Sequence, residues 1–384
     1  MFKGNGISKE QLTDTGEPCV LYGELYTKYK SEVISDIFNK TDIDTRKLVK
    51  SKANDVIIPC SGETAVDIAT ARCVPYDNIL LGGDLNIIRL YDCDGSFMSY
   101  QLNGKRKYDL AKVAQGVSVV HLYGDHLKDV KTYNPCLEEQ KKIAKLLSIL
   151  DERIATQNKI IEDLKKLKAA IVEKVFCSPN QEYPMCRIEG FEQALSTYKM
   201  SDFSSRIATK NKDSKCSLVL TIAAQYGLVN QESFFNKSVA SENLTGYYLL
   251  HKGEFAYNRS YSAGYDWGVV KRLDNYDEGV LSTLYICFKI NETIVDSDYL
   301  AYYFESSKWH KGLSDIAGEG ARNHGLLNVS MTDYFNTKHR FPVIEEQKAI
   351  AKMLNTIAEK ERKATLLGEC YQKQKQYLLC QMFT

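Results

Sequence analysis

The chain has 384 residues, and its 50 lysines and arginines nearly balance its 49 aspartates and glutamates, so the formal net charge is +1. This length exceeds one ordinary domain and fits two domains that each bury a core of their own. The near-neutral charge argues against a protein that neutralises many phosphates alone, because such proteins are usually basic. A nucleic-acid function therefore requires locally focused basic residues and partner subunits that share the phosphate contacts.

Composition also indicates the compartment and the cofactors. No apolar run approaches the length of a membrane span, and residues 1–6 lack the apolar core of a secretory signal, so we expect a cytoplasmic protein without a membrane partner. The 11 cysteines and 6 histidines follow no zinc-binding spacing, and an odd cysteine count favours reduced thiols. We therefore expect neither a metal site nor a cofactor in this chain.

Residues 1–134 read as the first of two mixed α+β domains. Short apolar runs bounded by turn residues predict strands over residues 55–58, 79–81 and 85–88. Lysine, arginine, tyrosine and serine are side chains that contact phosphates and base edges, although each one alone is more often an ordinary surface residue. On that basis the candidate nucleic-acid contacts of this domain are Lys3, Lys9, Tyr22, Tyr26, Ser61, Arg72 and Arg106.

A long helix is predicted over residues 135–177. Pro135 keeps the preceding residue out of a helix, and Glu138 in the first turn opposes the positive end of the helix dipole. Residues 178–190 contain two prolines and few apolar residues, which is typical of a linker. Apolar residues recur at the 4-3 spacing of a coiled-coil seam, at Ile143, Leu147, Leu150, Ile154, Ile161 and Leu164.

Residues 191–341 read as the second mixed domain. Strands are predicted over residues 218–220 and 283–288, and a helix over residues 299–304. Two turn-rich segments, residues 257–265 and 320–325, combine tyrosine with basic and amide residues. Arginine fits guanine edges and asparagine fits adenine edges, although such a loop is about as often a solvated turn. The candidate contacts here are Arg259, Tyr261, Arg322, Asn323 and His324.

A second long helix, over residues 342–384, repeats the first. The motif that starts at Pro135 returns at Pro342, 207 positions later, so that Glu138 and Gln140 correspond to Glu345 and Gln347. Register kept over forty residues predicts two copies of one helix in a pseudo-twofold molecule. Neither seam is unbroken, so we expect each helix to need the other and an outside partner. The matching apolar positions are Ile350, Leu354, Ile357, Tyr371 and Leu378.

A search for catalytic motifs finds none. Gly104-Lys105 lacks the glycine spacing of a phosphate-binding loop, and no G-x-S-x-G nucleophile elbow is present. The Asn- or Asp-Pro-Pro-aromatic loop expected of an amino-methyltransferase is also missing. The sequence therefore predicts a non-catalytic binding protein, and an enzyme with an unrecognised pocket is the least favoured reading.

The doubled P-x-L/I-E-E-Q-K-x-I-A-K helix start, the K-x-K near each helix end and the two intervening domains resemble the specificity subunit of type I restriction-modification systems. Segments 2–9, 22–26, 253–260 and 318–329 also look like family segments. The resemblance implies an α+β fold with two strand-rich target recognition domains, separated by two long helices that pack as an antiparallel coiled coil.

The resemblance also implies the function and the partners. Each recognition domain is expected to read one half of a bipartite, asymmetric site on double-stranded DNA. The helices are expected to dock two modification subunits, which bind S-adenosylmethionine and methylate adenine at N6, and restriction subunits then join. The specificity subunit itself is expected to be non-catalytic.

The chain departs from the family pattern at one place. Met1 aligns near Met200, so the lead-in that precedes the second domain as residues 191–200 has no counterpart before the first. A shortened or recombined gene is one reading of this departure, and the sequence does not determine its effect on assembly. The near-zero charge also keeps open an alternative, a coiled-coil adaptor that joins two protein partners without reading DNA. The sequence does not determine the recognised bases or the spacer length, since loop conformation decides which side chains reach which base edge.

Overall fold

The protein is described by a computed structural model that covers residues 1–116, 118–237, 240, 243–260, 264–316, 322–323, 326–327 and 329–383. Of Asp213, Arg322, Asn323 and Leu326 it describes the backbone alone. The chain forms two compact units. Unit 1 comprises Met1–Ile160 and Ala364–Thr384, and unit 2 comprises Ile161–Lys363.

Short strands and helices make up unit 1. Its strands are β1 (Phe2–Lys3), β2 (Leu12–Thr13), β3 (Glu17–Val20), β4 (Asn39–Thr41), β5 (Val49–Lys50), β6 (Asp55–Pro59), β7 (Ser61–Gly62), β8 (Arg72–Val74), β9 (Leu80–Leu81), β10 (Leu85–Ile88) and β11 (Val120–His121). Its short helices are α1 (Glu24–Thr27), α2 (Ala65–Ile68), α3 (Gly95–Asn103), α4 (Lys107–Lys112) and α5 (Gly124–Leu127), with 3-10 turns at Lys9–Gln11 and Thr45–Lys47.

An antiparallel four-stranded sheet, in the order β1-β10-β6-β8, lies at the centre of unit 1. A five-stranded sheet, in the order β2-β4-β3-β9-β5, and the pair β11-β7 complete it. Strand β6 is buried along its whole length. Because alternate side chains of a strand point to opposite faces, Val56 and Ile58 enter one core cluster and Ile57 enters another. Both faces of the central sheet are therefore covered.

Unit 2 is built in the same way. Its strands are β12 (Ser196–Lys199), β13 (Ser204–Arg206), β14 (Leu220–Ala223), β15 (Gly227–Asn230), β16 (Tyr248–His251), β17 (Phe255–Asn258), β18 (Val269–Arg272), β19 (Glu278–Leu281), β20 (Ile286–Ile290), β21 (Arg322–Asn323), β22 (Leu326–Leu327) and β23 (Lys338–Phe341). Its short helices are α7 (Met200–Phe203), α8 (Gln231–Phe235), α9 (Ser297–Tyr303), α10 (His310–Ser314) and α11 (Met331–Asn336), with a 3-10 turn at Lys212–Ser214.

The central sheet of unit 2 has the order β13-β20-β17-β18, and it is also antiparallel. In both units the third strand of this order is buried and the fourth is an edge strand. Large aromatic side chains, including Phe255, Tyr257, Phe288 and Trp309, fill the core on one face. Smaller residues such as Ala256, Leu281 and Cys287 pack on the other. The two units thus share one sheet architecture with different core side chains.

Two long helices pass from one unit into the other: α6 (Leu137–Val175) and α12 (Ile344–Gln381). In unit 1, Leu147 near the start of α6 shares a core cluster with Leu379 near the end of α12. In unit 2, Val172 near the end of α6 shares a cluster with Ile350 near the start of α12. The start of each helix therefore packs against the end of the other, which makes the pair antiparallel, and the predicted fold class is confirmed.

Most of the predicted short elements are also observed. The predictions at 55–58, 79–81 and 85–88 fall on β6, β9 and β10, and the one at 299–304 falls on α9. Two predicted strands start later than expected, because β14 begins at Leu220 and β20 at Ile286. Val219 makes only an isolated bridge to Val280, and residues 283–285 form a turn in which Leu284 is 63% exposed, so these apolar residues lie outside the strand ladders.

Candidate nucleic-acid interface

Each long helix is tied to its unit by the glutamine of the repeated motif. In unit 1 the side-chain carbonyl of Gln140 accepts a hydrogen bond from the Asp94 backbone N–H at 2.8 Å, and its amide donates to the Pro135 carbonyl at 2.8 Å. Asp94 is the N-cap of α3, where its carboxylate accepts from the Phe97 backbone N–H. The buried glutamine therefore joins the helix start, the preceding turn and a helix of the domain.

Unit 2 repeats this arrangement with one more bond. The Gln347 carbonyl accepts from the Asp296 N–H at 2.9 Å, and its amide donates to Pro342 at 2.9 Å and to Ile294 at 3.1 Å. Asp296 is the N-cap of α9. Since the same glutamine contacts recur 207 positions apart, they belong to the scaffold that the two units share rather than to the surfaces in which the units differ.

The other predicted helix residues follow the burial expected of a seam. Glu138 and Glu345 are exposed in the first turns. Gln157 of α6 donates a hydrogen bond to the Ala364 carbonyl of α12 at 2.9 Å. Ala364 lies 207 positions after Gln157, so it is the residue that corresponds to Gln157 in the repeat. Leu147, Leu150, Ile350 and Leu354 are buried, and Ile143, Ile154, Ile161, Leu164, Ile357, Tyr371 and Leu378 are half-buried.

Equivalent lysines of the two helices form ion pairs of different quality. In unit 1 the ammonium of Lys375 contacts the carboxylates of Glu32 and Asp151, the latter at 2.5 Å. The Tyr100 hydroxyl donates to Asp151 at 2.7 Å. Burial raises the pKa of Tyr100, and the Asp151 carboxylate raises it further, so the phenol stays a donor. In unit 2 the equivalent Lys168 lies at longer distances from its carboxylates.

Unit 1 contains a cleft of about 740 Å³ beside the edge strand β8, called the unit 1 cleft below. The Tyr26 hydroxyl donates to the Ser61 carbonyl at 2.9 Å, which links α1 to β7. The Ser61 hydroxyl in turn donates to the Asp84 carboxylate at 2.6 Å. The structure brings together in this lining five of the residues predicted from sequence: Lys9, Tyr22, Tyr26, Ser61 and Arg72.

The charge of the unit 1 cleft is positive. Lys9, Lys30 and Arg72 line it together with only two carboxylates, those of Glu63 and Asp67. The Lys9 side chain is exposed, whereas the Lys30 ammonium donates to a backbone carbonyl of α1. Positive charge beside exposed tyrosine suits a polyanion with stacking bases.

Arg72 forms the floor of the unit 1 cleft. It is 8% exposed, and its guanidinium donates to the Tyr29 carbonyl at 3.1 Å and to the Ala71 carbonyl at 2.9 Å. Burial lowers the pKa of Arg72, an effect that the carboxylates of Glu32 and Asp151 oppose. A guanidinium keeps its charge at neutral pH in any case, so Arg72 places a permanent cation below the cleft.

The structure leaves two predicted residues outside this lining. Lys3 lies over the ring of Tyr123, with 5.8 Å between its ammonium and the ring centroid. Arg106 lies 3.5 Å from the Asp109 carboxylate at the start of α4. Both side chains are therefore in contact with their own surface, and their role in nucleic-acid binding remains a prediction.

Unit 2 contains a cleft of equal volume, about 740 Å³, beside the edge strand β18, called the unit 2 cleft below. Lys165 and Lys168 of α6 line one side of it, and Lys271 projects from β18. Tyr226 and Tyr265 line it as well, and Tyr226 is 68% exposed. Both units therefore place two tyrosines and several cations at the same edge of the central sheet.

Of the candidates predicted in unit 2, Arg259 is the one whose side chain the structure describes, and it does not line this cleft. The Arg259 guanidinium donates to the Val329 carbonyl at 3.0 Å and to the Leu284 carbonyl at 3.3 Å. It therefore links the end of β17 to the segment before α11 and to the turn between β19 and β20. Tyr261 and His324 lie outside the described residues. Arg322 and Asn323 form β21, and their side chains lie outside what the structure describes. For all five, contact with nucleic acid stays a prediction.

Sequence reasoning missed the lysines and Tyr226 of the unit 2 cleft, whereas Tyr265 ends the segment 257–265 that it singled out. Lys271 lies beside Arg272 in the strand Val269–Arg272, and Tyr226 lies in the turn between β14 and β15. Neither position has a local signal that distinguishes a cleft residue from an ordinary surface residue. Lys271 is identified by its pairing with Ala256 on the neighbouring strand, and this register cannot be determined from the amino-acid sequence.

No group of three or more metal-ligating side chains occurs in the described part of the chain. Within the same residues, no helix combines the length and the hydropathy that a membrane span requires. The cysteines of the described residues are free thiols.

The fold and the two clefts define a class of proteins that carry two similar recognition domains on one pair of antiparallel helices. Residues 2–166 match the family described as type I restriction modification DNA specificity domain. The specificity subunit of the type I restriction enzyme MjaVIII of Methanocaldococcus jannaschii is 24% identical over 359 residues, which covers 88% of this chain and 79% of that protein. The putative MjaX specificity subunit of the same organism is 25% identical over 248 residues, covering 60% of this chain and 53% of that protein.

Solved structures show the same fold. The type I restriction-modification S subunit from M. genitalium superimposes with a TM-score of 0.57 at 16% identity, covering 100% of this chain and 93% of that one. A chain from a structure of type I R-M complex assembly and conformational transition gives a TM-score of 0.55 at 14% identity, covering 98% and 93%. The chain is similar to the specificity subunits of type I restriction-modification systems, and it shares the fold of the solved ones. The adaptor alternative that the near-zero charge allowed is not favoured.

Proposed function

We propose that this chain is the DNA-reading subunit of a type I restriction-modification complex, in which each unit recognises one half of a bipartite, asymmetric site on double-stranded DNA. The observation that carries the proposal is the repeated scaffold with two unlike clefts. Both units have the same strand order and the same glutamine contacts, yet the cleft beside β8 and the cleft beside β18 differ in their side chains. Like folds with unlike reading surfaces require two unlike half-sites.

The long helices supply the contacts for partner subunits. Besides the seam that the two helices share, α6 exposes a second apolar row: Leu146, Ile149, Ile160 and Leu167 are each 39–49% exposed. Three of these, Leu146, Ile160 and Leu167, lie at multiples of seven positions, so they fall on one helix face. Exposed apolar rows mark protein interaction sites. We assign this row to the modification subunits, of which the complex holds two.

The catalytic work belongs to those partners. The modification subunits bind S-adenosylmethionine and methylate adenine at N6, restriction subunits join them, and this chain contributes no catalytic group or cofactor. Shared phosphate contacts also account for the net charge of +1, because partner subunits supply further cations along the DNA.

Methylation mapping tests the proposed function. In a cell that contains active modification subunits, deletion of this gene removes N6-methyladenine from one bipartite motif, and re-expression restores it. A methylome that is unchanged by the deletion contradicts the proposal. Co-purification with modification subunits without sequence-selective DNA binding in the assembled complex supports the adaptor instead.

A further inference from the structure

One cation occupies the same position of the central sheet in both units. In unit 1, Arg72 on the edge strand β8 pairs with Ile57 on β6. Ile57 lies three residues after Asn54, whose φ of 81° is in the left-handed region and marks the turn before the strand.

The same three landmarks recur in unit 2. Lys271 on the edge strand β18 pairs with Ala256 on β17. Ala256 lies three residues after Gly253, whose φ of 88° is also left-handed. Since the sheets have the same strand order, the register makes Lys271 the structural counterpart of Arg72. Each of these two residues lines the cleft of its own unit.

The three lysines of the unit 2 cleft differ in how closely carboxylates approach them, and Glu173, Glu305 and Glu361 line the cleft beside them. Lys168 lies 3.7 Å from Glu305 and 3.8 Å from Glu361. The ion pairs of the described residues include neither Lys165 nor Lys271, although Glu305 and Asp274 attract Lys271 from beyond ion-pair distance. Lys271 is half-buried in the wall of the cleft, whereas Lys165 is exposed at its rim.

The geometry points to one kind of group between these lysines. A half-buried ammonium without a direct ion pair is stabilised by an anion that enters the cleft and contacts it. Lysine is a compact point charge and a phosphate binder, whereas base reading favours the planar forks of arginine, asparagine and glutamine. Tyr226 and Tyr265 add hydroxyl groups of the type that contact a nucleic-acid backbone.

We propose that Lys271 and Lys165 together hold one backbone phosphate of the half-site that unit 2 recognises. This assignment rests on the proposed function and adds to it a sequence-independent anchor in the unit 2 cleft. Such an anchor sets the register of the unit on the duplex and leaves the choice of bases to the loops.

Salt dependence of binding tests the assignment. The complex of this chain with its modification subunits is titrated with a duplex that carries the mapped motif and with a duplex in which both half-sites are scrambled, between about 50 and 300 mM salt. Each lost phosphate contact lowers the slope of log K against log[salt] by about 0.9. Lys271→Met is expected to remove one such contact and to weaken both duplexes about fivefold to tenfold near 0.1 M salt.

Three further variants separate charge from structure. Lys271→Arg keeps the charge and is expected to retain the wild-type slope. Lys165→Ala alters an exposed side chain that the fold does not need, so a lower slope there supports the anchor even where Lys271→Met disturbs folding. Lys289→Met, an exposed lysine on β20 of the same sheet, is the matched control and is expected to leave the slope unchanged.

Other outcomes overturn the anchor. A wild-type slope in both Lys271→Met and Lys165→Ala excludes a phosphate contact, and loss confined to the cognate duplex indicates a base contact instead. Weaker retention of the modification subunits with an unchanged slope assigns the lysines to a protein interface. Failure of the proposed function itself is distinguishable, because the wild-type complex then shows no difference between the two duplexes.

Discussion

Units 1 and 2 share their scaffold and differ in the surfaces built on it. The order of the central sheet, the glutamine at the helix start and the cation on the edge strand recur in both. The lining of the clefts does not recur: unit 1 combines Arg72 with a tight tyrosine–serine contact, and unit 2 combines lysines with an exposed Tyr226. The comparison shows that duplication preserves what positions a domain, while recognition depends on side chains that are free to diverge.

The helix lysines show the same contrast in their environments. Lys375 and its two carboxylates are nearly buried, with side-chain exposures of 13%, 9% and 14%. Lys168 and its carboxylates are more exposed and lie further apart. One ion pair is therefore part of a domain core, and the other borders an open cleft.

Lys375→Met is expected to produce the largest effect on stability. It leaves the carboxylates of Glu32 and Asp151 without their cation in a buried site, which costs about 3–5 kcal/mol of unfolding free energy. Lys168→Met, at a solvated pair, is expected to cost less than about 1 kcal/mol. Thermal unfolding followed by far-UV circular dichroism measures both, with the exposed Lys373→Met as control. Equal losses in the two variants contradict the contrast.

Gln347→Leu is expected to destabilise unit 2 by about 3 kcal/mol. The change leaves the Asp296 N–H, the buried Pro342 carbonyl and the part-buried Ile294 carbonyl without this partner, at about 1 kcal/mol for each group. Gln140→Leu breaks one bond fewer and is expected to cost about 2 kcal/mol in unit 1.

Trp267 and Trp309, the 2 tryptophans of the chain, both belong to unit 2, so urea unfolding by tryptophan fluorescence measures the Gln347→Leu variant. Far-UV circular dichroism, which follows both units, measures Gln140→Leu. Gln193→Leu, at an exposed position of unit 2, is the control and is expected to change stability by less than about 0.5 kcal/mol. A Gln347→Leu variant as stable as this control shows that the clamp is dispensable.

Arg322→Ala is expected to relax one base pair of one half-site by about 1–3 kcal/mol, if its guanidinium reads a guanine. Arg259→Ala provides the comparison, because its guanidinium already donates to two carbonyls in unit 2. That change is expected to weaken cognate and scrambled duplexes equally, through loss of loop support. Competition binding with single-base variants of the mapped motif separates the two, and uniform weakening by Arg322→Ala identifies a phosphate contact.

Acid is expected to weaken unit 2 through one buried histidine. His339 lies 3.1 Å from the Tyr303 hydroxyl and 2.8 Å from the Thr337 hydroxyl. Burial lowers the pKa of His339 to about 3, from an ordinary value of 6.5. Between these values the unfolded chain binds a proton that the folded protein does not, so stability falls as the pH drops below 6.5. The expected loss is roughly 1.4 kcal/mol at about pH 5.5.

Urea unfolding by tryptophan fluorescence at about pH 8 and about pH 5.5 measures this loss. His339→Gln removes the titrating group, so the free energy of unfolding of this variant is expected to lack the loss between about pH 8 and about pH 5.5 that His339 causes. The exposed His251→Gln is expected to keep it. Unit 1 carries Thr132 at the equivalent position, so it lacks this source of acid sensitivity. Identical pH profiles for the two histidine variants contradict the assignment.

Local signals in the sequence were sufficient for the long helices and for several strands. The 4-3 spacing, the prolines and the first-turn glutamates act within a few residues, and α6 and α12 follow them. The glutamine contacts were not predictable in this way, because Gln347 meets a backbone N–H that lies 51 residues away in sequence. Such a contact depends on how the domain docks on the helix.

The two clefts also differ in how much of their lining local sequence signals predicted. In unit 1 the predicted Lys9, Tyr22, Tyr26, Ser61 and Arg72 do line one cleft, because they lie on short segments that converge at one sheet edge. In unit 2 the described residues that line the cleft come from five separate parts of the chain, and no local pattern connects Lys165 with Lys271.

The amino-acid sequence by itself determined the duplicated helices, the two mixed domains and the family resemblance, because repeats and apolar spacing are properties of neighbouring residues. Tertiary structure alone decided which cations face a cleft and which are neutralised. Strand register and helix docking bring together residues that are distant in sequence, and the electrostatics of a site depend on distances and burial that only the folded chain sets.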